Sequence, residues 1–353
     1  MSRGLRFDPE ACQEALAAWL ASASCPGVTA TLLDGRGGAW SGAVGHADAE
    51  GRTAMAAHAP CYIYSITKSF TAVRVLQLVE EGAFALDDPI TAILRDCPLS
   101  SGVTIRCLLN HTAGVPSYTS LPDYEAAVRE HPAQPWSQEK VLARTCRGTL
   151  EFVPGSAWRY SNTGYLLLKM LIESASRKSY ADNIREHIAV PLGLRHTRVA
   201  CAVDDGSVSP GYWRGPEGLR MENIVPRYHP AWCLTGLIIS TTSEVAGFYS
   251  ALFAGRLLSQ PSLTEMQRAV WIGSDAGPFF RRPSYGLGLM IDPDWDHGGL
   301  FGHGGGGPGF NTWAMHLPGL GEGGLTMAIF CNASMDEHPF GLIRGLLAAA
   351  QRG

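Results

Sequence analysis

The chain has 353 residues, of which 46% are hydrophobic and 17% are charged, and its formal net charge is −4. This composition is that of an ordinary globular protein of about two domains, and the small acidic excess argues against a nucleic-acid partner. The nine cysteines include no Cys-x-x-Cys pair, which favours free thiols in a reducing compartment over a disulfide framework or a zinc site. No apolar run approaches the roughly 20 residues of a membrane span. We therefore expect a cytoplasmic protein, unless a leader segment has been lost, and no membrane partner.

The first predicted elements are a helix, a β-hairpin and a second helix. Apolar periodicity over residues 8–22 predicts an amphipathic helix, and the acidic residues within it argue against a secretory signal. Segments 27–33 and 38–44 are predicted strands, joined by Asp-Gly-Arg-Gly, which is typical of a hairpin turn. The second helix is predicted to begin near Ser65 and to end at Gly82, where glycine suits a left-handed C-cap.

Helical patterns dominate from residue 86 to about 240, and strand patterns return near the C-terminus. The predicted C-terminal elements are strands at 285–291, 300–303, 310–316 and 325–332, followed by a helix at 339–351. Strands at both ends with helices between them predict an α/β (α+β) fold, in which both termini build one sheet and an all-helical domain is inserted. We assign 1–85 and 270–353 to the sheet domain and 86–269 to the helical domain.

A serine and a lysine, Ser65 and Lys68, stand three residues apart at the start of an apolar helical run. On a helix these two side chains share a face. A serine hydroxyl is a poor nucleophile until a base takes its proton, and a lysine whose pKa is lowered by burial can be that base. The pair is therefore a candidate for acyl transfer.

The same spacing recurs at Ser137 and Lys140, so the pattern alone proves little. Ser137 follows Pro-Trp and precedes charged residues of a predicted first turn, which is typical of a helix N-cap. Lys68, by contrast, lies inside an apolar segment, where an unpaired ammonium group would be unfavourable. We therefore favour the first copy as the chemical site and expect a polar partner for Lys68.

Two further stretches carry residues of interest. Tyr160 and Asn162 lie between a Val-Pro-Gly-Ser turn and a helical run, where a half-buried aromatic and a turn or cap residue are the common roles.

Glycines dominate residues 301–310, between two predicted strands. They would let a substrate approach the backbone and leave N–H groups free for an oxyanion, or they form a flexible hairpin loop. The sequence has neither the Gly-Lys-Ser/Thr of a phosphate loop nor a Gly-x-Ser-x-Gly elbow.

In their order along the chain, segments 65–68, 160–162 and 303–305 resemble the three active-site motifs of serine β-lactamase-like proteins. The nearest members of that family are class C β-lactamases, D-alanyl-D-alanine carboxypeptidases and esterases of family VIII. Other matching segments are 108–114, 191–194 and 236–241. The resemblance implies an antiparallel sheet flanked by helices, with the active site between the sheet and helical domains, and no metal or cofactor.

The resemblance also implies a role for each residue. Ser65 would attack a carbonyl and form an acyl-enzyme, and Lys68 and Tyr160 would share the base and acid work in an unsettled order. Asn162 would hold Lys68 and the substrate amide. The supporting residues would be His303, Gly304 and Gly305, and the oxyanion hole would be the backbone N–H groups of Ser65 and Gly306. His111, in a neighbouring loop, is expected to order that loop by hydrogen bonds.

One position departs from the β-lactamase pattern, because His303 stands where those enzymes usually have lysine. Histidine is largely neutral at pH 7, so we expect weak capture of a carboxylate and inefficient β-lactam hydrolysis. We predict a serine hydrolase of a small ester or amide, first as an esterase or D-amino-acid peptidase or amidase, and next as an acyltransferase to an amine or alcohol. The alternative is a penicillin-binding or sensor protein that acylates with little turnover, or a weak β-lactamase. Either a monomer or a homodimer fits.

The substrate pocket is expected to come from the loops at 117–136 and 204–232. Aromatic residues are frequent there, and such residues often line pockets. The candidates are Tyr212, Trp213, Tyr228 and Trp232.

Overall fold

The structure is a computed structural model that describes residues 5, 7–100, 102–204, 206–214, 221–273, 279–335 and 338–351. Its helices are α1 (Pro9–Leu20), α2 (Thr67–Glu80), α3 (Ile90–Ile93), α4 (Ile105–Leu109), α5 (Tyr124–Glu130), α6 (Gln138–Thr145), α7 (Asn162–Ser176), α8 (Tyr180–Ile184), α9 (Val190–Leu192), α10 (Thr242–Phe253), α11 (Gln260–Met266) and α12 (Phe340–Gln351). Its strands are β1 (Gly27–Asp34), β2 (Ala39–Gly45), β3 (Cys61–Tyr62), β4 (Arg198–Val199), β5 (Tyr212–Arg214), β6 (Met221–Asn223), β7 (Ile238–Ser240), β8 (Val270–Trp271), β9 (Ser284–Tyr285), β10 (Met290–Asp292), β11 (Leu300–Gly307), β12 (Phe310–Leu317) and β13 (Leu325–Cys331).

The largest sheet contains strands from both ends of the chain. Its eight strands run in the order β2-β1-β13-β12-β11-β10-β9-β8, and each neighbouring pair is antiparallel. The first strand pairs with the last, so that Val28 lies opposite Cys331. The predicted hairpin is present: Gly37 has a φ of +90°, and the Asp34 carboxylate accepts the N–H of Gly38 at 2.5 Å. The predicted fold class is confirmed.

Helices cover both faces of this sheet, which explains why β12 and β13 are buried at every position. On one face α1 and α12 pack together against the sheet through the buried side chains of Leu16, Leu32, Ile329, Ile343 and Leu346. On the other face α10 contacts β1, β12 and β13, and the remaining helices continue the core beyond it. The middle of the chain is mainly helical, with two small sheets of order β3-β7-β4 and β5-β6.

Two predicted elements near the C-terminus were wrong in detail. The strand expected at 285–291 is two short strands, β9 and β10, because Gly288 has a φ of +72° and breaks the extended chain. The glycine-rich stretch expected to be a loop continues β11 as far as Gly307, and only Pro308 and Gly309 form the turn. Glycine is tolerated in this strand because other backbone approaches it closely, as described below.

The second predicted helix begins two residues after its expected start near Ser65. Ser65 lies in a single turn of 3-10 helix, Tyr64–Ile66, and α2 begins immediately afterwards. Gly82, with a φ of +77°, ends the helix in the expected left-handed conformation.

Within the described residues, no helix combines the length and the apolar character that crossing a membrane demands. The domain boundaries at 85/86 and 269/270 stay a prediction.

Candidate active site

Ser65 and Lys68 lie together where the 3-10 turn meets α2. The Ser65 side chain is half-buried, whereas Lys68 is only 2% exposed. Lys68 Nζ lies 3.1 Å from Ser65 Oγ and donates a hydrogen bond to Asn162 Oδ1 at 2.7 Å. The lysine thus contacts the candidate nucleophile and has a polar partner deep in an apolar region.

Burial decides the protonation of this lysine. It lowers the pKa of Lys68 from the usual 10.5 to about 7, because the charged form is poorly solvated there. A substantial fraction of the amine is then neutral at physiological pH. A neutral amine 3.1 Å from a hydroxyl can accept its proton.

Tyr160 lies beside Lys68, with its ring centroid 4.7 Å from Lys68 Nζ. Burial raises the pKa of its hydroxyl above the usual range, and interaction with Ser65 opposes that shift only in part. Tyr160 is therefore protonated at neutral pH. It presents a proton next to Ser65.

His111 fixes the loop that carries Tyr160. Its carbonyl accepts the N–H of Arg159 at 3.0 Å, its Nδ1 accepts the N–H of Ser161 at 3.1 Å, and its ring lies 4.3 Å from the Tyr160 ring. Burial, together with Lys68 and His303, lowers the pKa of His111 well below its usual range. The imidazole is neutral, and it orders the loop that carries Tyr160, whereas the sequence predicted that it orders its own loop.

Asn162 is the first residue of α7, just after the N-cap Ser161, whose hydroxyl accepts the N–H of Gly164. The Asn162 amide is held at both ends. Its Nδ2 donates to Thr119 Oγ1 at 2.9 Å while Oδ1 accepts from Lys68, and its backbone N–H donates to Ser117 Oγ at 3.1 Å. Sequence reasoning missed both hydroxyl residues, because a Ser-Tyr-Thr loop carries no distinctive spacing.

The third motif, which begins at His303, lies on β11. The His303 side chain is 1% exposed, with Nδ1 2.5 Å from the Gly304 carbonyl and Nε2 2.8 Å from the Tyr285 hydroxyl. A carbonyl only accepts, so Nδ1 carries the proton and Nε2 accepts from Tyr285. Burial and, to a lesser extent, the nearby Lys68 lower the pKa of His303 to about 3. The imidazole is uncharged, and both of its nitrogens are engaged within the protein. Tyr285 is a third residue that sequence reasoning missed.

Gly305 brings β11 against the Ser65 turn. A Cβ atom at this position would lie 2.2 Å from the carbonyl oxygen of Ile63 and 3.0 Å from the Ser65 nitrogen. The Thr312 hydroxyl lies 3.1 Å from the carbonyl oxygens of both Ile63 and Gly305. The backbone of β11 therefore runs beside the backbone N–H of the candidate nucleophile, which is the arrangement that an oxyanion hole requires.

Tyr64, immediately before the nucleophile, makes a second link between the turn and the strand. Its φ is +44°, an uncommon value for a bulky residue. Its hydroxyl donates to the Pro308 carbonyl, and its ring occupies the space where Gly307 would carry a side chain. Strained backbone of this kind persists where surrounding contacts enforce it. No pattern in the sequence predicts this role.

A cleft of about 270 Å³ opens beside the end of β11. The cleft is lined by Gly306 and by residues from both of the loops expected to form the substrate pocket. These are Tyr124, Glu125 and Val128 from the first loop and Trp213 from the second. Both of the loops that were expected to form the substrate pocket therefore contribute to this cleft. Three of the four aromatic candidates were wrong, because the side chains of Tyr212, Tyr228 and Trp232 are buried in the core.

The comparisons with known proteins agree with this geometry. The family model described as Beta-lactamase matches residues 12–351. The chain belongs to the Beta-lactamase family. The predicted resemblance is confirmed.

This member of the Beta-lactamase family is similar to a D-stereospecific amidohydrolase from Streptomyces sp., with 32% identity, a TM-score of 0.83 and coverage of 96% of this chain and 98% of that chain. It is 30% identical over 269 residues to penicillin-binding protein 4* of Bacillus subtilis (strain 168), which covers 70% of this chain and 56% of that protein. It is also 30% identical over 192 residues to esterase EstB of Burkholderia gladioli, covering 51% of this chain and 49% of that protein. The chain thus spans about half the length of the last two relatives. The three names are consistent with a serine hydrolase of ester or amide bonds.

Proposed function

We propose that this protein is a serine hydrolase that cleaves a small ester or amide through an acyl-enzyme on Ser65. One observation carries the proposal: the Ser65 hydroxyl lies 3.1 Å from the amine of a lysine that is 2% exposed and whose pKa is lowered to about 7. Serine becomes nucleophilic only beside such a base. In the second copy of the spacing, both Ser137 and Lys140 are exposed.

In the proposed first half-reaction, neutral Lys68 takes the Ser65 proton as Oγ bonds to the substrate carbonyl carbon. The negative charge on the carbonyl oxygen is stabilised by the backbone N–H groups of Ser65 and Gly306. As the bond to the leaving group breaks, the Tyr160 hydroxyl gives its proton to that group and recovers one from Lys68. The raised pKa of Tyr160 supports this role as the acid rather than as a tyrosinate base.

The second half-reaction releases the acyl group. Water attacks the ester carbonyl and gives its proton to neutral Lys68, which returns a proton to Ser65 Oγ as the bond between that oxygen and the acyl carbon breaks. If an amine or alcohol takes the place of water, the same steps transfer the acyl group.

Amide and ester substrates without a free carboxylate beside the scissile bond fit this site best. His303 is neutral and engaged by Tyr285, so it supplies no charge to hold a carboxylate. The similarity to a D-stereospecific amidohydrolase along 98% of that chain supports an amide of a D-amino acid as the first substrate class to test. The likeness to penicillin-binding protein 4* supports a second candidate, slow acylation by a β-lactam with little turnover.

Several broader properties remain part of the proposal. We infer a cytoplasmic bacterial protein, monomeric or homodimeric, and the nine cysteines, all free thiols, support a reducing compartment. We also infer that the site lies between a sheet domain of residues 1–85 and 270–353 and a helical domain of residues 86–269. The strand order of the large sheet supports that division.

Intact-protein mass spectrometry tests the nucleophile. Wild type, Ser65→Ala and Ser137→Ala are exposed separately to a fluorophosphonate and to a fluorescent penicillin, and p-nitrophenyl ester turnover is measured on each. One adduct per chain on wild type and Ser137→Ala, and none on Ser65→Ala, is the expected result. A long-lived penicillin adduct without ester turnover would instead favour the second candidate. A wild-type protein that is folded yet forms no adduct and turns over no ester would overturn both.

A further inference from the structure

The glycines of β11 differ in what would happen if each carried a side chain. At four positions a Cβ atom would overlap protein atoms, at distances of 2.0 Å for Gly302, 2.8 Å for Gly304, 2.2 Å for Gly305 and 2.3 Å for Gly307. The atoms met are a backbone carbonyl oxygen at the first and third positions, and aromatic rings at the second and fourth. Glycine at these positions follows from the packing of the protein itself.

Gly306 is different. A Cβ atom there would meet nothing within 4 Å, and the residue is exposed. Its φ is not positive, so an L side chain would fit the backbone without strain. Neither packing nor conformation accounts for glycine at this position.

The empty space at Gly306 opens onto the cleft. Alternation along the strand turns Gly305 and Gly307 toward the Ser65 turn and turns Gly304 and Gly306 the other way. The lining of the 270 Å³ cleft at the end of the strand includes Gly306 and Asn311, which lies opposite Gly306 on β12. A substrate carbonyl held by the Gly306 N–H would sit at the strand edge, so one of its substituents would pass Gly306 on its way into the cleft.

The cleft walls indicate the chemistry of that substituent. Tyr124, Val128 and Trp213 supply apolar surface. The carboxylate in the lining, Glu125, is paired with Arg129 at 2.7 Å, and the Arg129 guanidinium in turn lies 4.2 Å from the Trp213 ring centroid. The cleft is at the small end of the range for ligand sites, which suits one side chain rather than a whole ligand. An uncharged aromatic or branched aliphatic group fits it.

We propose that Gly306 is a specificity-determining residue, whose missing side chain admits a bulky uncharged aromatic or branched group, attached next to the scissile carbonyl, into the cleft lined by Tyr124, Val128 and Trp213. This inference rests on the proposed hydrolase function and names its substrate class. A methyl group at position 306 would narrow the passage for that substituent while leaving the N–H in place.

The test compares small and large substrates on wild type and Gly306→Ala. An acyl series uses the p-nitrophenyl esters of acetate and of 3-phenylpropanoate, and a leaving-group series uses D-alanine amide and D-alanine 2-naphthylamide. We expect the ratio of kcat/KM for the large substrate to that for the small one to fall by roughly tenfold or more in at least one series, since a single methyl group in an apolar pocket discriminates by that amount. Gly306→Val should lower the ratio further.

Gly304→Ala is the matched control, because it lies on the same face of the same strand but would press on the Trp313 ring. It should lower Tm and reduce turnover of both substrates alike. A Gly306→Ala ratio within twofold of wild type in both series would overturn the inference, as would a Gly306→Ala protein that fails to fold.

The two proposals fail in distinguishable ways. A wild type that turns over no substrate and forms no adduct at Ser65 removes the hydrolase proposal, and the specificity inference with it. If wild type turns over substrate but Gly306→Ala leaves the size selectivity unchanged, only the specificity inference is removed.

Discussion

The chain contains the same Ser-x-x-Lys spacing twice, and the two copies have different environments. Lys68 is 2% exposed and contacts both Ser65 and Asn162, whereas Lys140 is exposed and its Nζ lies 4.2 Å from the centroid of the Trp136 ring. Ser137 serves as the N-cap of α6 and accepts the N–H of Lys140. The spacing places the two side chains on one face, but burial is what lowers a lysine pKa to a useful value.

The largest expected difference between the copies is in catalysis. Lys68→Met should reduce kcat/KM for a p-nitrophenyl ester by roughly 10³-fold or more, because the general base and its charge are both lost. Lys140→Met should remain within twofold of wild type. Stopped-flow acylation and steady-state turnover measure both variants. Equal losses would show that burial is not what separates the copies.

The difference in stability between Lys68→Met and wild type should also depend on pH. The pKa of Lys68 is lowered from 10.5 to about 7 in the folded protein, so between those values the unfolded chain binds more protons and stability rises with pH. The free-energy cost of burying the charged form of Lys68 has its full value below about pH 7 and disappears as the pH approaches 10.5. The free energy of unfolding of Lys68→Met minus that of wild type should therefore decrease by an amount on the order of a few kcal/mol between pH 7 and pH 10. Urea unfolding at several pH values measures this, and a flat difference would contradict it.

Asn162 offers a way to shift the lysine pKa directly. Asn162→Asp places a carboxylate about where Oδ1 now lies, 2.7 Å from Lys68 Nζ, and an opposite charge at that distance raises a lysine pKa. Wild-type acylation should decline as pH falls below about 7, because Lys68 becomes protonated. In Asn162→Asp this decline should begin at least about one pH unit higher. Asn162→Ala removes the bond without adding charge, so a similar displacement in that variant would argue against the assignment.

A smaller effect is expected from the contact between the Ser65 turn and β11. Ser137, by contrast, is the N-cap of a helix. Tyr64→Phe removes the hydrogen bond to the Pro308 carbonyl and should lower kcat by roughly tenfold with little change in KM, because a looser turn misaligns the oxyanion donors. Tyr180→Phe removes a hydrogen bond between a buried tyrosine and Thr71, away from Ser65. The two variants should lose similar Tm, and a kcat loss of equal size in both would contradict a positioning role for Tyr64.

Local patterns in the sequence predicted much of the fold. The hairpin turn after Asp34, the C-terminal strands and the left-handed Gly82 all follow from residue chemistry within a few positions. The chain also showed strands at both ends, which was enough to predict a sheet built from both termini. The extension of β11 through its glycines could not be predicted, because the contacts that require glycine come from Ile63 and Tyr64, far away in sequence.

The candidate site was predicted less completely than the fold. The three motifs named the residues that the structure brings around Ser65, but they did not reveal the groups that hold those residues. Tyr285 fixes His303, and Thr119 fixes Asn162, through contacts between segments more than ten residues apart. Such partners have no characteristic spacing, since only the tertiary fold brings them together.

The pairing of the first strand with the last has a consequence for synthesis. β1 emerges from the ribosome roughly 300 residues before its partner β13, and the Ser65 turn emerges long before β11, against which it packs. Contacts so distant in sequence form slowly and only after most of the chain is available. A nascent or truncated chain therefore carries Ser65 and Lys68 before β11 can pack against them, so under the proposed mechanism we expect no acylation until translation is nearly finished.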